Sequence, residues 1–310
     1  MASSRPSSLV LVRGVSWSGG GPALLLTADD GDTSVPLEPG LWLRFRVAAG
    51  ADVPARHCLG HSSVQGPTET EHVPCPTGAA AERGYQCGQC FARDDFRFMH
   101  DFHRSGIAPA GLKAYLAQPH WLYVATFADG TTKVGTASAR SKWTRLAEQG
   151  AVVARYVAHA RDGSVVRLLE DAVSKELGLT QFVRGTAKFA ALLNPRPAAQ
   201  LDAGNQATAD VVREFLGTQV LDGFETVTEQ WDRSNFSAAV AGPGQRIAYP
   251  QPLASGDHGM RLDAMLGGYA LAAIDGSDAT FLLDLSALKG HRIEWGDFRT
   301  TLPALQESLF

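Results

Sequence analysis

The sequence predicts an α+β protein in three parts: an N-terminal β unit with a four-cysteine metal site, a central α/β core, and a C-terminal mixed β/α unit. Three observations predict it. A chain of 310 residues at 45% hydrophobic content exceeds what one simple core organises. All the cysteines fall between Cys58 and Cys90. Short apolar runs punctuated by turn residues occupy both ends, while a clear helical stripe lies in the middle. The charged fraction is only 19%, with 32 Gly and 16 Pro, which points to a loop-rich, β-containing chain rather than helical repeats.

At the N-terminus, Val10–Val15, Ala23–Thr27 and Leu41–Val47 read as short strands. They are separated by the turn signals Ser18-Gly19-Gly20-Gly21-Pro22, Asp29-Asp30-Gly31-Asp32 and Pro39-Gly40. No apolar run approaches the roughly eighteen residues of a membrane-spanning helix. Leu9-Val10-Leu11-Val12 is too short for a signal-peptide core, so a cytoplasmic location and no membrane partner are expected.

The four cysteines are separated by sixteen, eleven and two residues. Disulfides need an oxidising compartment, to which nothing in the sequence directs the chain. Zinc needs soft ligands converging on a tetrahedron, and Cys87-Gly88-Gln89-Cys90 supplies a CxxC knuckle. Cys58 and Cys75 complete a four-thiolate set, with His57, His61 and His72 close enough in sequence to replace one. His100 and His103, a helical turn apart, read with the other histidines as surface loop residues. A closed four-thiolate site leaves no open coordination position, so its expected role is structural. Residues 52–95 have little core of their own, and bound zinc contributes roughly 10–16 kcal/mol of apparent binding energy in small peptides.

The central part opens near Pro119. Trp121–Phe127 and Thr132–Thr136 read as a hairpin across Ala128-Asp129-Gly130. Ser141 N-caps a short helix that Gly150 ends, and Ala151–His159 is a third strand. A helix opens at Gly163-Ser164 and stops at Gly178. Its expected apolar stripe is Val165, Leu168, Leu169, Ala172, Val173 and Leu177, with Arg167, Glu170, Asp171 and Ser174 on the opposite, polar side. Asn194-Pro195-Arg196-Pro197 reads as a linker, which sets part boundaries at 1–110, 111–196 and 197–310. Beyond it, Thr208–Leu216 reads as helix; Tyr269–Ile274, Thr280–Leu285 and His291–Trp295 read as strands able to pair with the N-terminal unit.

Net charge is only −4, but it is unevenly spread. Residues 131–196 carry 11 basic and 5 acidic side chains, against 7 and 15 in residues 197–310. Only the central part has the electrostatics to hold a phosphate backbone, so nucleic acid is the expected partner of residues 131–196. The bland alternative is that these cations merely solvate helix faces.

The order Trp121-Leu122-Tyr123, Lys133-Val134-Gly135, Arg145, Glu170 resembles the GIY-YIG nuclease core. More closely, the chain resembles a family of bacterial proteins with a four-cysteine zinc module and a degenerate GIY-YIG-like core. That likeness rests on Arg56-His57-Cys58-Leu59-Gly60, Gln86-Cys87-Gly88-Gln89-Cys90, Lys133-Val134-Gly135-Thr136, Arg145 with Glu148-Gln149-Gly150-Ala151, and Leu266-Gly267-Gly268-Tyr269. It spans residues 40–295. The resemblance implies that Tyr123 orients or deprotonates a water, that Arg145 stabilises a scissile phosphate, and that Glu170 holds a divalent metal such as Mg²⁺. Lys133 stands where the family's second tyrosine would be, and no residue is assigned to its late asparagine. The expected function is therefore metal-dependent phosphodiester or nucleic-acid processing with weakened catalysis. Two alternatives stand beside it: a non-catalytic nucleic-acid-binding module, and recruitment of the scaffold for small-molecule chemistry through Tyr123, Lys133, Arg145 and Glu170.

One geometric condition follows from the residues alone. A three-residue loop at 128–130, with Gly130 at positive φ, places Tyr123, Ala125, Lys133 and Gly135 on one face. A two-residue turn would send Tyr123 and Lys133 to opposite faces. On the following helix, Lys142, Arg145 and Gln149 share one side.

Overall fold

The computed structural model describes residues 9–18, 21–51, 53–99 and 101–302. Gly19 and Gly20 of the first turn signal, and His100, lie outside them. The described chain mixes helix and strand, with a β-rich N-terminal region. None of its helices is long and apolar enough to cross a membrane.

Four strands open the chain: β1 (Val10–Ser16), β2 (Ala23–Ala28), β3 (Gly31–Pro36) and β4 (Trp42–Val47). The sequence reads Gly31 and Asp32 as turn, yet Gly31, at φ +122°, opens β3. This strand hides from pattern reading because it is an edge strand with Asp32, Thr33 and Ser34 exposed. The cysteine segment follows, with a small hairpin of β5 (His61–Val64) and β6 (Thr70–Val73) and the helices α1 (Gly88–Arg93), α2 (Phe102–Ser105) and α3 (Ala110–Leu116).

The central elements are β7 (His120–Thr126), β8 (Thr132–Ser138), α4 (Lys142–Glu148), β9 (Val153–Ala160), α5 (Gly163–Leu177) and α6 (Gly185–Leu193). Then come α7 (Ala198–Gly217) and β10 (Phe224–Gln230), which complete the same layer. The four strands run in the order β10-β9-β7-β8. Helix α7 starts ten residues before the stretch that reads as helical. Its buried positions are Leu201, Asn205, Ala209, Val212 and Leu216, and the polar Asn205 interrupts the stripe. Asn205 is fully buried; it donates to the Val124 carbonyl (3.2 Å) and the Thr126 hydroxyl (2.9 Å) and accepts from Arg155 (2.8 Å).

The last elements are α8 (Ala238–Ala241), β11 (Ile247–Ala248), β12 (Asp257–Leu266), β13 (Tyr269–Ala273), β14 (Phe281–Asp284) and β15 (Arg292–Trp295). They join the first four strands in a nine-stranded sheet ordered β11-β14-β13-β12-β4-β15-β1-β2-β3. Strand β4 sits between β12 and β15, so the two ends of the chain share one sheet. Its alternation buries Leu43, Phe45 and Val47, as a strand with one covered face requires.

The two sheets share a core. Tyr123, Ala125, Ala154 and Tyr156, from one face of the central sheet, pack in the same cluster as Val12, Phe45 and Met260. The opposite face, with Leu122, Val124 and Val134, is covered by α5 and α7. At the junction Gly150 (φ +69°) ends α4 and Gly267 (φ +60°) turns β12 into β13. A Cβ on Gly267 would lie 2.8 Å from the Gly150 nitrogen, and the Trp17 indole donates to the Gly267 carbonyl at 2.9 Å.

That contact predicts a contrast between two substitutions. Gly276 also has positive φ (+79°), but nothing lies within 4 Å of its missing Cβ. Gly276→Ala should cost about 1 kcal/mol, the backbone penalty alone. Gly267→Ala should cost at least about 2 kcal/mol, because backbone must also move. Urea unfolding of both variants measures the difference, and equal losses would refute the contact.

Candidate functional site

The hairpin register places the central residues. Phe127 and Thr131 close the turn, Gly130 stands at φ +87°, and Thr126 pairs with Thr132. Tyr123 is opposite Gly135 and Ala125 opposite Lys133, so Tyr123 and Lys133 share a face. The Tyr123 ring lies directly over Gly135: a Cβ there would be 2.4 Å from the phenolic oxygen. The Lys133 ammonium sits 5.6 Å from the centre of the same ring.

Helix α4 brings the next groups over that face. Gln149 donates to the Tyr123 hydroxyl at 2.8 Å, and the exposed Arg145 acts on the same phenol through its charge and side-chain contact. Lys142 turns to the other end of the face, over the Trp121 and Tyr156 rings, and pairs with Glu229. Helix α6 adds Lys188, which donates to the Gln149 carbonyl at 2.9 Å and lies 4.2 Å from the centre of the Phe127 ring. Nothing in sequence order singles Lys188 out; it follows a loop that folds back along β8. Thr180 in that loop accepts from the Val134 amide, and Gln181 accepts from Lys133 at 3.3 Å.

Glu170 is placed differently from the helical reading of α5. The face α5 buries is Val165, Val166, Leu169, Glu170 and Val173, whereas Leu168 is 46% exposed. Glu170 is only 3% exposed and pairs with Arg167 one turn before it. Helix α5 packs across β7 and β8, the latter being the sheet edge that carries Lys133. Lys133 and Tyr123 both feel the charge of Glu170, and neither hydrogen-bonds to it.

Burial dominates the electrostatics. It pushes the Tyr123 phenol up, against the pull of Arg145 and Gln149, so the phenol stays protonated at neutral pH. Burial likewise raises Glu170, opposed by Arg167. It lowers Lys133 to about 8, helped by the charges of Arg145 and Lys188. Lys188 also falls to about 8, through burial and then Arg145. The acidic C-terminal segment neutralises part of the basic surplus: Lys142 pairs with Glu229 and Arg155 with Asp202, both at 2.7 Å. Among the described residues, Lys133, Arg145 and Lys188 form no ion pair with a carboxylate.

The cysteines converge as their spacing suggests. The sulfurs of Cys58, Cys75, Cys87 and Cys90 all lie within 4.8 Å of one another. A tetrahedron with metal–sulfur bonds of about 2.3 Å has edges of about 3.8 Å, so the set fits a metal ion such as zinc. The Gly60 and Cys87 amides donate to the Cys58 sulfur at 3.4 and 3.1 Å. The neighbouring histidines have other roles. His57 is buried rather than on a surface loop, contacting the Gly78 carbonyl, and His72 bridges Asp32 and the Leu59 carbonyl. The module docks on the large sheet through the His57 amide, which donates to the Gly290 carbonyl at 2.7 Å.

Comparison with known proteins finds no family model, curated protein or solved structure that matches this chain.

The lowered Lys133 makes a stability prediction. Between about 8 and the ordinary 10.5 the unfolded chain binds the proton that the folded chain has lost. Stability therefore rises with pH across that window, and the penalty of the buried cation is fully present below it. Lys133→Met should stabilise the protein at pH 7 by about 1–3 kcal/mol and reduce the alkaline rise. Urea titrations at pH 7 and 9.5 measure both effects; a destabilised variant with an unchanged pH profile would contradict this placement.

Proposed function

We propose that the central core binds the phosphate backbone of a nucleic acid without metal-dependent cleavage, as a GIY-YIG-like scaffold that has kept its anion site. One observation carries this reading: Lys133, Arg145 and Lys188 crowd one neighbourhood whose carboxylate, Glu170, is already paired with Arg167. Mutually repelling cations kept together are stabilised by an incoming anion, and the exposed Arg145 is the group that first meets it. Hydrolysis fits less well. A hard divalent ion such as Mg²⁺ needs an ionised carboxylate with open oxygens, and burial favours the protonated form of Glu170. Tyr123, with its phenol raised, is a poor base. Arg145 would clamp the phosphate, Gln149 would fix the Tyr123 hydroxyl beside it, and Lys133 and Lys188 would supply the field behind.

Fluorescence anisotropy with labelled single-stranded and duplex RNA and DNA tests this. Affinity should fall with salt at a log–log slope of about −2 to −3, and Arg145→Ala should reduce that slope by about 1. Glu170→Gln should leave the slope unchanged, and no strand should be cut with Mg²⁺ or Mn²⁺. Salt-independent binding, or none, would end the proposal; Mg²⁺-dependent cutting abolished by Glu170→Gln would restore the hydrolytic reading. A second reading is favoured by the Lys133 amine, which at about 8 is partly neutral near physiological pH and able to act as a base or electrophile holder on a small molecule. A metabolite retained by the wild type and lost in Lys133→Met would select it.

The metal of the cysteine module is proposed to be zinc in a structural role. Four thiolates leave no open position, and the hydrogen bonds to Cys58 suit a buried, charged sulfur. Elemental analysis of protein purified without added metal should give one zinc per chain. A chelator should lower the melting temperature and open residues 57–93 to hydrogen exchange. Iron in its place, or full stability after metal removal, would be the contrary result.

A further inference from the structure

A cleft of about 660 Å³ lies between the cysteine module and the strands β1 and β2, well within the size range of small-molecule sites. Its walls include Arg13, Leu25, His61, Tyr85, Phe91 and Lys289. Arg13 enters it because the β1–β2 register breaks between Val12 and Gly14, a bulge that re-aims the side chain. One guanidinium nitrogen pairs with Asp32 at 3.0 Å, but the buried Nε has no partner. The buried Nδ1 of His61 also has none. Lys289 crosses the face of Gly14, where a Cβ would touch its aliphatic chain at 3.6 Å.

The charges in this cleft do not balance. The Lys289 ammonium lies 4.6 Å from the centre of the Tyr85 ring, and Arg56 lies 5.1 Å from the same ring. Lys289 has no carboxylate in ion-pair range among the described residues. The acids nearby are already engaged: Glu148, whose charge acts on Lys289, accepts from the Ser16 hydroxyl at 2.9 Å. Asp94 accepts from the Ser62 and Phe96 amides and from Gln86, and Asp32 accepts from Arg13, His72 and Thr27. Positive groups with unused donors therefore face an apolar wall of Leu25, Tyr85 and Phe91.

We propose that this cleft binds a small organic anion, its phosphate or carboxylate head between Arg13 and Lys289 and its flat apolar body along Tyr85 and Phe91. The metal module forms one wall, so the site depends on that module being folded. It does not depend on the reading of the central core.

Calorimetric titration of the full, metal-loaded chain with phenyl phosphate, benzoate and inorganic phosphate tests it. At least one aromatic anion should bind, and more tightly than inorganic phosphate, which carries the head without the body. The tighter of the two aromatic probes identifies the head. Lys289→Met, which keeps the aliphatic chain over Gly14, should weaken that binding by about tenfold. Arg13→Gln should weaken it similarly, and Lys133→Met in the central core should leave it unchanged. Absence of heat with all three probes up to about 10 mM would overturn the proposal. So would undiminished affinity in both cleft variants, or inorganic phosphate binding as tightly as the aromatic anions.

Discussion

Two glycine backbones in contact hold the central site to the rest of the molecule. Gly150 ends the helix that carries Arg145 and Gln149; Gly267 turns the hairpin that belongs to the large sheet. Both have positive φ, and a Cβ on Gly267 would run into the Gly150 backbone at 2.8 Å. Trp17, which follows β1 and belongs to the core shared by the two sheets, fixes the Gly267 carbonyl. Helix α4 thus takes its position from the nine-stranded sheet as well as from its own strands. The Tyr123 hydroxyl meets Gln149 because of it. The segments Glu148-Gln149-Gly150-Ala151 and Leu266-Gly267-Gly268-Tyr269, more than a hundred residues apart, are two sides of this one contact.

The electrostatic character of the site follows from that packing. One face of the central sheet packs against the large sheet and buries Tyr123, while the Thr180–Gln181 loop lies against Lys133; desolvation disfavours the charged form of each. A phenol held protonated and an amine lowered to about 8 are a poor pair for activating water at a carboxylate already paired with Arg167. They are a better setting for an anion, whose charge would repay the repulsion among Lys133, Arg145 and Lys188. The cleft beside the cysteine module repeats this logic with different residues: its carboxylates accept from local donors, while the Arg13 Nε has no partner and Lys289 no ion pair among the described residues.

Much of the local structure was legible in the sequence, and the reason differs from element to element. The three-residue loop expected at 128–130 is the one the chain adopts, although a two-residue Asp129-Gly130 turn carries the same glycine signal. Gly150 and Gly178 marked the ends of α4 and α5; Ser141 precedes α4 but makes no side-chain cap, and α5 is capped by Asp162 rather than by the Gly163-Ser164 pair expected to open it. The polar edge strands β3 and β10 were not marked, since exposure on both faces erases alternation. Nor was the first half of α7, where Asn205 breaks the stripe by taking its hydrogen bonds from a strand in the neighbouring layer.

By itself the sequence determined what short-range geometry and composition control: the convergence of four clustered thiols, the shared face of Tyr123 and Lys133, and the helix termini. Tertiary structure alone decided that Glu170 is buried against Arg167, that Glu229 and Asp202 neutralise Lys142 and Arg155, and that Lys188 joins the polar site. It also decided that β4 lies between two strands from the opposite end of the chain. The physical reason is range. Dihedral preferences and side-chain periodicity act over a few residues, whereas burial and Coulomb interaction depend on which distant segments meet, and the folded chain sets both together.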